Sequence, residues 1–332
     1  MATGASPLVA ARNRRVALVV AVAAALAAGA VVGVTVLQTH GERTALPVRP
    51  GQPPLELNFG VARGTEAQTL KRAQDDYSHG DLTGAHALFV RYDSPAARVG
   101  AALAAWQDGR GLGKLEQLGV QYPQSALVAL HLGWAYYWVS RNADAVAAWR
   151  RAARLGSDSP YGVDAEDVLH SNFKIPGLPP IVTGLPLPRK IAKLPAAVQL
   201  EALRRAAVRP DPRAKVLYGS ALWTLERPVS AEQQFAAAAK LAPHDPLARA
   251  AAAVARFSKA HPVRAFAHLG PLTAVFPHSP VVEFELGVLL LYIGEDAKAT
   301  THLHAAFQDG PKSHYAKPAR ILLASLARTR SK

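Results

Sequence analysis

The stretch Ser279–Tyr315, SPVVEFELGVLLLYIGEDAKATTHLHAAFQDGPKSHY, decides the fold. It reads as two short antiparallel helices. The first carries Leu286, Gly287 and Leu290, and Gly294 breaks the run to start a turn. The second carries Ala299, Leu303 and Ala306, and Pro311 ends the unit. A small residue on each helix lets the backbones approach, while larger apolar residues fill the gap. One hairpin of this kind cannot bury its own apolar faces, so neighbouring copies are required.

The copies follow at a step of 34 residues: Ala265, Leu269 and Pro277, then Ala231, Phe235 and Pro243. Gly219, Leu222 and Ala238 fall in phase with Gly287, Leu290 and Ala306. A further copy, out of phase with these, has Leu132, Gly133, Tyr136, Ala145, Trp149 and Ala152. This pattern of small residues at the helix crossing and a closing proline resembles the tetratricopeptide repeat family. The resemblance covers most of residues 66–326, strongly for four repeats. It implies an all-α fold, a right-handed superhelical solenoid of antiparallel helix pairs. The repeat Pro246–Ser279 departs from the pattern. Ala252 and Ala253 replace the Leu-Gly pair, and Arg256 takes a position that is usually apolar, so its first helix is expected to pack less tightly.

Ahead of the repeats, residues 1–15 form a basic N-terminus ending in Arg-Asn-Arg-Arg, and Val16–Gln38 runs without a charge. At 1.5 Å per residue that run spans roughly 34 Å, enough for a single transmembrane helix. The basic cluster predicts a cytoplasmic N-terminus and an extracytoplasmic repeat domain, a single-pass signal-anchor in the cell membrane. A cleaved signal peptide is the rival reading, with Ala25, Ala27, Ala28 and Ala30 near a cleavage site. Residues 39–65 form a linker that Pro47, Pro50, Pro53 and Pro54 bias toward an extended chain. It would hold the repeats off the bilayer. Within it, Leu55, Leu57 and Phe59 read either as a short strand or as residues docking on the first helix.

The solenoid occupies residues 66–326, with a basic tail at 327–332. It starts with an atypical pair marked by Leu70, Ala73, Tyr77, Ala85 and Phe89, and closes with a capping helix over 315–326. The Gly-rich stretch 108–113 is an interhelix turn; it lacks the strand and the Lys-Ser/Thr of a phosphate loop. One repeat is split. Tyr161–Ser171 and Leu194–Val208 read as its helices, and residues 173–193, FKIPGLPPIVTGLPLPRKIAK, stand between them. Five prolines forbid a regular helix there. Ile175, Leu178, Ile181, Val182, Leu185 and Leu187 are costly to leave in water. The insert is either a loop strapped along the helices or a docking segment for a partner or membrane surface.

In the family that the repeats resemble, the first helices line an inner groove where partner peptides lie. Residues one, four and five places past the signature small residue (Gly133, Gly219, Ala253, Gly287) face it. Carried over, this implies a partner-binding groove of Trp134, Tyr137, Trp138, Trp223, Phe257, Leu291 and Tyr292. Ser220, Thr224, Val254, Ser258 and Val288 fill the remaining positions. Aromatic anchors are frequent among binding hot spots. The competing reading has Trp134, Tyr137 and Trp138 packing against the insert or a neighbouring helix.

The composition excludes several classes. Half the residues are apolar, too many for general disorder. There is no cysteine, hence no disulfide framework or thiolate chemistry. The charge of +14 suits an anionic membrane surface, but no long Lys/Arg run and no nucleic-acid module occur. Asp75-Asp76 and Glu166-Asp167 point about 100° apart on a helix and make no facing dyad. His302 and His304 lie about 200° apart and cannot share a metal. No enzyme, cofactor or metal site is expected. The resemblance implies a membrane-anchored bacterial scaffold whose protein partners belong to a secretion or envelope-assembly complex. The alternative is a structural, self-associating envelope protein in which Gly29 and Gly33 pair helices in the membrane.

Overall fold

The computed structural model describes residues 48–330, apart from 108 and 174. The expected membrane span at residues 16–38 lies outside the described residues, as do most of the expected linker's first half and the last two residues of the tail. Among the described residues, no helix is long and apolar enough to cross a membrane. Seventeen helices and no strand occur among them. They divide into two compact units, residues 48–169 and 170–330.

The first unit opens with an extended segment and continues as α1 (Thr65–Ser78), α2 (Leu82–Phe89), α3 (Pro95–Ala104), α4 (Leu112–Gln121), α5 (Ala126–Trp138), α6 (Asn142–Leu155) and α7 (Pro160–Leu169). Consecutive helices pack as antiparallel pairs, and α1, α3, α5 and α7 also touch one another in series. The second unit opens with the extended insert, a short helical turn α8 (Arg189–Ala192) and α9 (Ala196–Ala207). Then come α10 (Pro212–Thr224), α11 (Pro228–Leu241), α12 (Pro246–Val254), α13 (Val263–Leu269), α14 (Leu272–Val275), α15 (Pro280–Tyr292), α16 (Asp296–Asp309) and α17 (Ala316–Arg330). Here α10, α12 and α15 make the corresponding inner series.

Local chemistry places the helix starts. Ser94, Ser125, Asp211 and Asp245 each accept a hydrogen bond from a backbone N–H of the first turn. Pro95, Pro212 and Pro246 follow three of these caps, where their missing N–H costs nothing. The turn inside three of the pairs needs a left-handed residue seven places beyond the signature glycine. Gly294 adopts it at φ 81°, and Ser140 and Glu226 adopt it at 60° and 57°.

The small-against-large register read from the sequence is the packing rule. A Cβ on Gly219 would sit 2.9 Å from Phe235, and one on Gly287 2.9 Å from Leu303. A Cβ on Gly133 would collide with the Trp149 indole. Phe235 and Leu303 are fully buried, so they have no room to yield.

Several boundaries differ from the sequence reading. In the divergent repeat, α12 has nine residues where α10 and α15 have thirteen. Ala248, Ala250, Ala251 and Ala253 are nonetheless buried and Ala252 is half-buried, so the helix is short rather than loose. Its partner breaks at Gly270-Pro271 into α13 and α14, because proline lacks the N–H that would continue the ladder. The insert ends in α8, since no proline interrupts residues 189–194. The closing helix runs to Arg330, beyond the expected end at Leu326; cationic side chains near a helix C-terminus favour the extra turn.

Candidate functional site

Each unit holds an extended segment along its inner helices. In the first unit, Arg49 donates from its backbone N–H to the Trp138 carbonyl at 2.7 Å and from Nε to the Tyr137 carbonyl at 3.2 Å. Its guanidinium lies 3.9 Å over the Tyr137 ring. Trp138 Nε1 donates to the Pro50 carbonyl at 3.3 Å, and the Tyr77 hydroxyl donates to the Pro53 carbonyl. The backbone N–H of Glu56 donates to His131 Nε2 at 3.0 Å, that of Leu57 to Gln74 Oε1 at 3.1 Å, and that of Asn58 to the Tyr161 hydroxyl at 3.1 Å. Segment numbers rise as α5 numbers fall, so the chain runs antiparallel to α5 and α1. Leu55 and Leu57 are buried beside Leu70 and Tyr77. The docked reading therefore holds over the short-strand reading, and residues 48–59 are packed against the repeats rather than serving as a free spacer.

The second unit repeats the arrangement with the insert. Lys259 Nζ donates to the Ile175 carbonyl at 2.8 Å, the Tyr292 hydroxyl to the Leu178 carbonyl at 2.9 Å, and Trp223 Nε1 to the Pro179 carbonyl at 2.7 Å. The Val182 N–H donates to Glu285 Oε1 at 2.8 Å. Phe173 stacks edge-on against Phe257 at 6.3 Å. Ile175, Ile181 and Val182 pack on the core around Phe284 and Leu289, while Leu178 and Leu185 pack beside Trp223. Leu187 and Ile191 reach Leu203 and Leu217. Of the two readings of the insert, the strapped one describes its structure. These insert side chains are half-buried, so each contributes less than the roughly 1.5–3 kcal/mol of a fully buried one.

Of the seven residues expected to line a groove, Tyr137, Trp138, Trp223, Phe257 and Tyr292 contact these segments directly. Trp134, Trp223, Phe257 and Tyr292 are buried; Tyr137, Trp138 and Leu291 are half-buried. Trp134 stands edge-on to Trp149 at 5.1 Å and to Trp138 at 6.3 Å. The sequence reading missed the polar residues that hold the segment's backbone. His131 and Glu285 occupy the same repeat position, two places before Gly133 and Gly287. Both are fully buried, and each accepts one N–H. His131 donates Nδ1–H to the Leu127 carbonyl at 2.8 Å, which leaves Nε2 as the acceptor. Burial lowers its pKa to about 4. Burial raises the Glu285 carboxyl to about 8, against the opposing pull of the Val182 N–H. Among the described residues, Glu285 Oε2 has no hydrogen-bond partner.

A second missed signal is in the segments themselves. Pro50-Gly51-Gln52-Pro53-Pro54-Leu55 and Pro176-Gly177-Leu178-Pro179-Pro180-Ile181 share the pattern Pro-Gly-x-Pro-Pro-apolar. The shared conformation follows the shared residues. Gly51 and Gly177 take left-handed φ values of 77° and 75°, which β-carbon-bearing residues rarely adopt. Pro53 and Pro179 are both buried, each with its carbonyl held by an aromatic donor. The next held group is the N–H of Glu56 in one unit and of Val182 in the other, again at matching positions.

Among the described residues, no group of three His, Asp or Glu is arranged to hold a metal. His302 Nδ1 instead meets Glu283 Oε2 at 2.6 Å.

Fold and grooves together define a protein of stacked antiparallel helix pairs whose inner helices grip extended polypeptide. No family model matches the chain, and no curated protein matches it. Solved structures that are similar include YrrB, described as a TPR protein with an unusual peptide-binding site, at 18% identity, 62% of this chain, 97% of that chain and a TM-score of 0.29. Another is a tetratricopeptide repeat protein from Parabacteroides merdae, at 12% identity, 79% of this chain, 98% of that chain and a TM-score of 0.34. Yeast Tom70 matches at 12% identity over 80% of this chain with a TM-score of 0.31, and this chain spans about half of it, 54%. Likeness at these scores carries no argument about partner or site.

Proposed function

We propose that the protein is a membrane-anchored scaffold that binds segments of protein partners in its repeat grooves. The observation that supports this reading most directly is that each unit already holds an extended chain, antiparallel to its inner helices, by main-chain atoms. Residues 16–38 are the anchor, residues 1–15 remain in the cytoplasm, and residues 39–65 carry the chain to repeats that face away from the cytoplasm. Trp134, Tyr137, Trp138, Trp223, Phe257, Leu291 and Tyr292 form the partner-binding surface. Its partners belong to a secretion or envelope-assembly complex, and the basic charge favours an anionic membrane surface nearby. Confinement to two dimensions raises the local concentration of both partners.

The test is photocrosslinking in intact cells from a photoreactive residue at Tyr137 or Leu291, which are only half-buried. A discrete partner, lost from Tyr137 when Trp138 is replaced or from Leu291 when Trp223 is replaced, is the expected outcome. Crosslinks confined to the chain's own segments would refute the groove reading. They would favour the second reading, a structural, self-associating envelope protein, which gains support from the insert lying along the second groove.

A further inference from the structure

We infer that the groove of residues 170–330 is a peptide site specific for Pro-Gly-x-Pro-Pro-apolar segments, held shut by residues 175–187, and that its partner carries the same motif and binds by displacing them. This deepens the scaffold reading and rests on it.

Three observations carry the inference. First, the polar contacts go to the main chain. Lys259, Tyr292 and Trp223 donate to carbonyls of Ile175, Leu178 and Pro179, and Glu285 accepts from the Val182 N–H. Any extended segment of the same shape offers those atoms. Second, shape is set by the motif: the left-handed glycine turns the chain, and the paired prolines hold it extended with few conformations to lose. Third, the other unit holds a segment with the same motif, although the residue before the motif, its third residue and the residue after it differ in chemistry. Arg49, Gln52 and Glu56 correspond to Ile175, Leu178 and Val182. The motif and two of the clamped groups, the Pro53 or Pro179 carbonyl and the Glu56 or Val182 N–H, are thus retained while the other contacts vary, as expected of recognition rather than incidental packing. Residues 175–187 contain no charge. A trans ligand for this groove is therefore uncharged at the positions of Ile175, Leu178, Ile181, Val182 and Leu185, which enter the apolar seats.

A resident segment competes at an effective concentration in the mM range, so an external peptide binds weakly until the resident is loosened. The experiment uses the purified full chain and a fluorescent peptide with the sequence of residues 175–187. In the double variant Ile181→Asp, Leu185→Asp, charge is forced into two of the apolar seats of the resident segment. The peptide should bind this variant at least tenfold tighter than the unaltered chain. N-methylation of the peptide at the position of Val182, which removes the donor to Glu285, should cost about tenfold. Absence of binding to a variant that keeps its helical circular dichroism overturns the inference, as does indifference to N-methylation. Concentration-dependent dimerisation of the variant with no peptide binding also overturns it, making a second copy the occupant. If the variant fails to fold, exchange at the Val182 and Thr183 amides of the unaltered chain decides. Millimolar peptide should accelerate it severalfold, and no acceleration overturns the inference. A cellular partner that crosslinks equally to the unaltered and opened chains would sink displacement and leave the scaffold standing. Peptide binding without any cellular partner would do the reverse.

Discussion

Glu285→Gln should flatten the pH response of the second unit above pH 5. The carboxyl is fully buried, accepts the Val182 N–H at 2.8 Å, and titrates at about 8 in the folded chain against 4.5 for an ordinary glutamate. Between those values the folded state keeps a proton that the unfolded state has released. Folding stability therefore falls as pH rises from about 4.5 to about 8, by up to ~1.4 kcal/mol per pH unit. Relaxation around the buried group reduces the sum, and a net loss on the order of 3 kcal/mol by pH 8 is a fair magnitude. Glutamine cannot ionise. Its amide oxygen still accepts the Val182 N–H, and its NH2 takes the place of Oε2, which has no partner among the described residues in either case. The variant should match the unaltered chain within about 1 kcal/mol at pH 5 and exceed it by roughly 3 kcal/mol at pH 8. Urea titrations at pH 5, 6.5 and 8, with hydrogen exchange read at α15 amides, measure this. Parallel pH profiles for the two proteins would refute the reasoning, since they would mean that the buried carboxyl does not hold its proton.

His131 should act with the opposite sign: its folded pKa of about 4 lies below the ordinary 6.5, so the first unit is fully stabilised above pH 6.5 and loses up to ~1.4 kcal/mol per unit as pH falls toward 4. His131→Gln should flatten that acid limb in exchange measured at α5. Trp223→Phe keeps an aromatic ring but loses the pyrrole part of the indole and its 2.7 Å bond to the Pro179 carbonyl, and should lower stability by about 2–3 kcal/mol in urea while speeding exchange in residues 181–183. Gly133→Ala should cost roughly 1–3 kcal/mol in a thermal melt, because its methyl meets the Trp149 indole, whereas Gly113→Ala in α4 faces open space and should be neutral or stabilising by up to about 1 kcal/mol.

The helix pairs were legible because their determinants are local. Gly287 and Leu303, Gly219 and Phe235, and Gly133 and Trp149 stand at one fixed spacing, and a helix converts fixed spacing into a fixed meeting point. Ser-Pro and Asp-Pro starts act within one turn and need no tertiary context. The aromatic inner positions followed from the same register. The clamp at His131 and Glu285 was overlooked because a lone polar residue in an apolar helix gains meaning only from what it meets. Those partners, Glu56 and Val182, lie 75 and 103 residues away.

The amino-acid order alone therefore determined a stack of antiparallel helix pairs, the 34-residue register, and the impossibility of a helix through the proline-rich insert. It left open whether that insert and the segment around Leu55 stand free or lie along the repeats. Only the tertiary structure decided this, since an extended chain has no internal hydrogen bonds and takes its place from distant donors and apolar seats. Once the structure had paired each segment with its clamp, the recurrence of Pro-Gly-x-Pro-Pro, present all along in the sequence, acquired a physical reason.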